Sequence, residues 1–144
     1  MSGKSPNDFH TTTITMGADG AVCVEADVRA GGSLGGMAIS YPRVQQTLGA
    51  AGLLAQDLWS LSPQGDHVRR VAATVCAPDA NHHPLVLSGD VGGGSMSVPT
   101  VPSPLVAPDP PLVVPRANVG TDELTRRLAV SIKQAFADHG AVQQ

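Results

Sequence analysis

The chain has 144 residues and a formal net charge of −3 with nine Lys and Arg, and only 3% of its residues are aromatic. So few scattered cations argue against nucleic-acid binding, which needs clustered positive charge, and no apolar run reaches the roughly 18 residues of a membrane helix. The length suits one domain, whose core must be built mainly from Val, Leu, Ile and Ala.

Residues 1–8 are polar and predict a flexible N-terminal tail. They lack the apolar stretch of a signal peptide, so we expect the protein in the cytoplasm, or in a particle assembled there. In that compartment Cys23 and Cys76 are expected to be reduced, and a disulfide between them stays an open alternative.

An α+β core is predicted over residues 9–97, beginning with a β-hairpin. Residues 11–16 and 21–28 are rich in β-branched side chains, and the Asp19-Gly20 pair between them is a turn signal. Alternation of apolar and polar side chains in the second segment indicates a strand with one face in water. Residues 37–41 predict a short third strand.

A helix is predicted after Pro42, because proline suits the first helical turn. Its apolar stripe comprises Val44, Leu48, Ala51, Ala55 and Leu58. Gly49 and Gly52 each cost the helix about 1 kcal/mol relative to Ala. Their small size lets another backbone approach closely, which would offset that cost. Trp59 is expected to cover the helix end.

Two more strands are predicted at residues 68–76 and 85–88, joined by a polar loop. This loop contains the candidate metal ligands Cys76, Asp79, His82 and His83. Thiolate, carboxylate and imidazole groups all bind metals, but their spacing matches no common zinc motif. A polar hairpin loop without metal is therefore the alternative.

Other sequence signals for chemistry are weak. The glycine-rich stretches 31–36 and 89–94 could hold an anion on backbone N–H groups, but neither has the lysine of a phosphate-binding loop, so flexible loops are favoured. Residues 31–35 read Gly-Gly-Ser-Leu-Gly and match the Gly-x-Ser-x-Gly pattern, but they precede a short predicted strand and not the helix that a nucleophile elbow requires. We therefore predict no catalytic residue and no cofactor.

Residues 98–117 predict an extended proline-rich arm. Seven prolines between residues 98 and 115 exclude a helix or a central strand. Apolar side chains alternate with these prolines, and they are expected to lie against protein, either this subunit or another copy. The predicted interface residues of the arm are Val98, Val101, Leu105, Val106, Leu112, Val113 and Val114.

Residues 118–144 predict an amphipathic C-terminal helix that packs on its own or a neighbouring subunit. Thr121 can cap the helix and Gly140 can end it. The side chains predicted to form its interface are Leu124, Leu128, Ile132 and Phe136.

Together these segments predict an α+β fold: a small antiparallel sheet of four or five short strands, packed with two helices and extended by the proline-rich arm. The favoured function is a non-enzymatic assembly subunit that self-associates or joins other protein subunits. The composition is compatible with a component of a phage-like particle or shell. One alternative is a small enzyme or ligand-binding protein that uses the loop of His82 and His83. The other is an adaptor whose proline segment, containing two Pro-x-x-Pro motifs, is bound by another protein.

Overall fold

A computed structural model describes residues 12–32, 38–81, 83–88, 90–91 and 100–143. The α+β class is confirmed, with two helices and several small sheets in these residues. In chain order the elements are β1 (Thr12–Met16), β2 (Val22–Ala26), β3 (Gly31–Gly32), β4 (Ile39–Ser40), α1 (Tyr41–Leu61), β5 (Arg70–Ala77), β6 (Leu85–Val86), β7 (Asp90–Val91), β8 (Leu105–Pro115), α2 (Asp122–Asp138) and β9 (Val142–Gln143). Two short 3₁₀-helices cover Pro63–His67 and Arg116–Asn118.

The described strands divide among four sheets, so a single sheet of four or five strands is not confirmed. β1–β2 and β5–β8 are antiparallel pairs, β3–β7 is a parallel pair, and β4–β6–β9 is a parallel sheet of three strands. Five of the nine strands have only two residues. These two-residue strands join segments that are distant in the sequence.

The predicted β-hairpin is confirmed by β1 and β2. Their register runs from Thr12 opposite Ala26 to Met16 opposite Val22. The turn is closed by the Gly17 N–H, which donates to the Ala21 carbonyl at 2.8 Å. Gly20 has a φ of 88°, a conformation that glycine adopts without steric cost.

The helix predicted after Pro42 is α1. Its N-cap is Ser40, whose Oγ accepts a hydrogen bond from the Arg43 N–H at 3.3 Å. Gly52 lies against the backbone of Gly120, and a Cβ at Gly52 would come within 2.7 Å of the Gly120 N and Cα atoms. The close backbone approach predicted for this glycine pair is therefore present at Gly52. At Gly49 it is absent, because a Cβ there meets only a Thr125 methyl at 3.9 Å.

The C-terminal helix α2 begins and packs as the sequence predicts. The Oγ1 of Thr121 accepts a hydrogen bond from the Leu124 N–H, and the turn after the helix contains Gly140 with a φ of 67°. The apolar side chains of α2 are buried between α1 and the β5–β8 sheet, and they include Leu124, Leu128, Ile132 and Phe136. The helix thus packs on its own chain and closes the main core.

Most of the predicted proline-rich arm is a strand and not a separate extended segment. Residues 105–115 form β8, which pairs with β5 over its whole length apart from one interruption. The N–H of Arg116 donates to the Arg69 carbonyl at 2.9 Å. Because antiparallel hydrogen bonds alternate, Val114 and Leu112 also face β5, while Pro111 and Pro115 occupy the positions that point away. Proline is tolerated here because its missing N–H falls on the outer edge of the sheet.

Among the described residues, no helix has the length and apolar character needed to cross a bilayer.

Candidate interaction surface

The two faces of the β5–β8 sheet differ sharply in their surroundings. Side chains of the inward face alternate along both strands and pack against α2; they are Val71, Ala73, Val75, Ala77, Leu105, Ala107, Leu112 and Val114. The opposite side, called the outward face here, presents Arg70, Ala72, Thr74, Cys76, Val106 and Val113. No described element packs on the outward face.

The outward face is apolar at its two exposed valines. Val113 is 57% exposed and Val106 is 37% exposed, whereas Val114, the neighbour of Val113 in β8, is only 4% exposed. Across the sheet Val113 pairs with Ala72 and Val106 pairs with Cys76. Their β5 partners are four residues apart, so about 13 Å separates the two valines along the strands, one on each side of the bulge.

A bulge in β8 interrupts the outward face near its centre. Leu112 pairs with Ala73 and Ala107 pairs with Val75, so residues 108–111 lie opposite Thr74 alone. The Thr74 Oγ1 donates to the Pro108 carbonyl at 2.7 Å and holds the bulge to β5. Asp109, Pro110 and Pro111 are exposed, so the bulge presents one carboxylate and two prolines beside the valines.

The start of the predicted arm is held by the loop that the sequence suggested as a metal site. Asn81 Oδ1 accepts from the Val101 N–H at 3.2 Å, and the Asn81 N–H donates to Ser103 Oγ at 2.7 Å. Val101 is buried in the core. The loop therefore uses its asparagine to fix the segment that enters β8. No pattern in the sequence predicts this role.

The predicted interface residues separate into two groups. Most are buried within their own chain: Val101, Leu105, Val114, Leu124, Leu128, Ile132 and Phe136. Val106 and Val113 are exposed, Leu112 is half-buried on the inward face, and Val98 lies outside the described residues. Of the predicted set, Val106 and Val113 are the residues that remain available to another molecule.

The candidate metal ligands are not brought together by the described part of the chain. Cys76 and Asp79 are exposed, His83 is half-buried, and His82 lies outside the described residues. Within those residues no group of three or more His, Cys, Asp or Glu side chains could hold a metal ion. Cys23 and Cys76 are both exposed free thiols. The metal site stays a prediction.

A polar pocket of about 440 Å³ lies at the start of α1. Its lining includes Asp27, Ser40, Arg43 and Ser88. Asp27 forms an ion pair with Arg29. The hydrogen bond between their side chains raises the pKa of the Arg29 guanidinium above its usual value. Since the Ser40 hydroxyl caps the helix, these contacts stabilise the local fold and do not define a ligand.

A second set of contacts, missed by the sequence analysis, joins α1 to the end of β8. Gln56 Nε2 donates to the carbonyls of Arg116 and Val119, at 2.6 and 2.9 Å. The Arg116 guanidinium lies 5.5 Å from the centre of the Trp59 ring and donates to the Gly65 carbonyl. These contacts fix β8 relative to α1 and thereby fix the position of the outward face.

Comparison of the chain with protein-family models, with curated proteins and with solved structures gives no match.

Proposed function

We propose that this protein is a non-enzymatic assembly subunit that binds a second copy of itself through the outward face of the β5–β8 sheet. The observation that carries the proposal is the exposure of Val106 and Val113 beside small side chains of β5. Packing two such faces together removes these valines from water, which is the main driving force of protein association.

The charges beside the outward face support a contact with twofold symmetry. Arg70 lies at one end of the face, and Asp109 lies in the bulge opposite Thr74, about 13 Å further along the strand at about 3.3 Å per residue. A twofold axis midway between these positions places Arg70 of each copy near Asp109 of the other and the two Val113 residues against each other, with Val106 at the rim of the contact. Such a contact is isologous, as in most symmetric dimers.

The size of the outward face implies a weak contact. Two strands of eight residues present about 250 Å², whereas a typical stable interface buries about 800 Å² on each partner. We therefore expect association through this face to depend on protein concentration.

Light scattering over a range of concentrations tests the proposal with the full chain. The wild-type mass is expected to rise above that of one chain, and Val113→Asp is expected to lower it at every concentration. Val130→Asp is the matched control, because Val130 is a similarly exposed valine on α2, 42% accessible and remote from the face. A wild-type mass of one chain throughout, or an equal effect of both substitutions, would contradict the proposal.

A charge exchange tests the twofold geometry. Arg70→Glu places two carboxylates together across the contact and is expected to weaken association. Adding Asp109→Arg to the same chain reverses both charges and is expected to restore it. Loss of association in the double variant, with an unchanged circular dichroism spectrum, would exclude this arrangement.

A further inference from the structure

A second self-association site is suggested by the free edge of β1. Within the described residues β1 pairs only with β2. The strand has the sequence Thr-Thr-Ile-Thr-Met, and its first four side chains are exposed, with Ile14 at 46%. It has no charge, no proline and no bulge. Charges, prolines and bulges are the features by which natural proteins prevent strand edges from pairing with other chains.

The outer edges of β2 and β8 differ from that of β1, and the outer edge of β5 carries Arg70 at its start. The outer edge of β8 has prolines at the positions that point away from β5. β2 carries Glu25, and α1 contacts this strand. Of the edges of β1, β2 and β8, that of β1 is the one that no described element covers and that no charge, proline or bulge protects.

The hydrogen-bonding groups of β1 are self-complementary. The Gly17 N–H donates to the Ala21 carbonyl, so by alternation Thr15 and Thr13 direct their backbone groups to β2. Thr12, Ile14 and Met16 therefore direct theirs to the free edge. These three positions are symmetric about Ile14.

We propose that β1 pairs antiparallel with β1 of a second copy, on a twofold axis through Ile14, to form a sheet in the order β2–β1–β1–β2. In this register the two Ile14 residues bond to each other, and Thr12 of each copy bonds to Met16 of the other. Three residues per copy each contribute one donor and one acceptor, so all six edge N–H groups gain partners.

The side chains in this register are compatible with close contact. Ile14 lies opposite Ile14 of the second copy, on the face that also holds Val22 and Val24 of β2, and the contact reduces its exposure. Thr13 lies opposite Thr15 of the second copy on the other face, and threonine pairs are favourable across strands. Since β1 has no charged residue, no like charges meet.

The combination of this contact with the outward-face contact determines the size of the particle. The pairing of β1 is independent of the proposed function. Growth beyond a dimer rests on the proposed function, because it also requires the outward-face contact. A chain with two different isologous contacts forms closed tetramers or open chains, whereas a chain with one of them forms dimers only. Wild-type protein is therefore expected to exceed the mass of two chains at high concentration.

A set of four proteins separates the two contacts: wild type, Ile14→Pro, Val113→Asp and the double variant. Proline at position 14 removes a donor that faces the free edge and leaves the bonds between β1 and β2 in place. Each single variant is expected to stop at a dimer, and the double variant is expected to be a monomer. Ile14→Lys, which puts a charge at the centre of the contact, should behave like Ile14→Pro, and thermal melting monitors folding.

A covalent test fixes the register. In a Cys23→Ser/Cys76→Ser background, Ile14→Cys is expected to give a disulfide-linked dimer on mild oxidation, because residues that face each other in this register have Cα atoms about 5.5 Å apart. Thr13→Cys is the control, since the two copies of that residue are separated beyond disulfide reach. Equal cross-linking of both variants would overturn the register.

An Ile14→Pro mass equal to that of wild type would overturn the contact, whereas the outward-face proposal fails independently if Val113→Asp changes nothing.

Discussion

The inward and outward faces of the β5–β8 sheet are made from the same two strands but have opposite surroundings. Val114 and Val113 are adjacent valines, yet one is 4% exposed in the core and the other is 57% exposed. The inward face is covered by α2, whose apolar stripe was evident in the sequence, and it stabilises the fold. The outward face is exposed in the described part of the chain, and we propose that it binds a second copy. Stability measurements on matched variants can therefore test this division.

The largest loss of stability is expected from Phe136→Ala. Phe136 is fully buried in the core between α2 and the sheet, and removing its ring leaves a cavity. The free energy of unfolding should fall by about 3–5 kcal/mol in urea titrations. Val130→Ala, on the exposed side of the same helix, should change it by less than about 0.5 kcal/mol. Comparable losses at both positions would mean that α2 is not packed as described.

The next effect extends the comparison to α1, where two glycines three residues apart have different surroundings. Gly52→Ala places a Cβ against the Gly120 backbone and should destabilise the protein by about 1–3 kcal/mol. Gly49→Ala meets no such contact, and it should stabilise the helix by up to about 1 kcal/mol. Thermal melting of both variants measures the difference. The same sign for both changes would argue against the contact of α1 with Gly120.

A direct comparison of the two faces uses the adjacent valines. Val114→Ala removes two buried methyl groups and should lower the free energy of unfolding by about 1.5 kcal/mol. Val113→Ala should lower it by less than about 0.5 kcal/mol. Both are measured in urea at a concentration at which the protein is monomeric, so that association does not contribute. Equal losses would show that the outward face is covered in the monomer.

The smallest effect is expected at the bulge. Thr74→Val removes the hydrogen bond to the Pro108 carbonyl and should cost about 0.5–1 kcal/mol, because the bond is exposed to solvent. Thr13→Val changes an exposed threonine of β1, and it should leave stability nearly unchanged. Urea titration compares the two, and faster amide exchange near Leu112 should accompany only the first.

Local patterns in the sequence predicted the elements that depend on local signals. The cap at Thr121, the stripe ending at Phe136, the Asp19-Gly20 turn and the proline at the start of α1 all have the predicted roles. Each depends on residues within a few positions of one another.

Elements that depend on distant partners could not be predicted in this way. The prolines of β8 predict an extended arm because they exclude a central strand, and the sequence does not show that they fall on the outer edge of a pair of strands. The contacts of Asn81 and Gln56 also join residues at least 20 positions apart. Val106 and Val113 are predicted from the sequence as interface residues of an arm, whereas the contributions of Ala72 and Thr74 follow only from the register with β5.

The bulge at residues 108–111 divides β8 into two ladders, each with its own register against β5. A change in the number of residues between Ala107 and Leu112 alters only the length of the bulge, because Ala107 stays paired with Val75 and Leu112 stays paired with Ala73. This position therefore suits the insertion of a peptide tag or a fluorescent label. Because Asp109 of the bulge belongs to the proposed contact, an insertion there is expected to keep the fold and to hinder the approach of another copy.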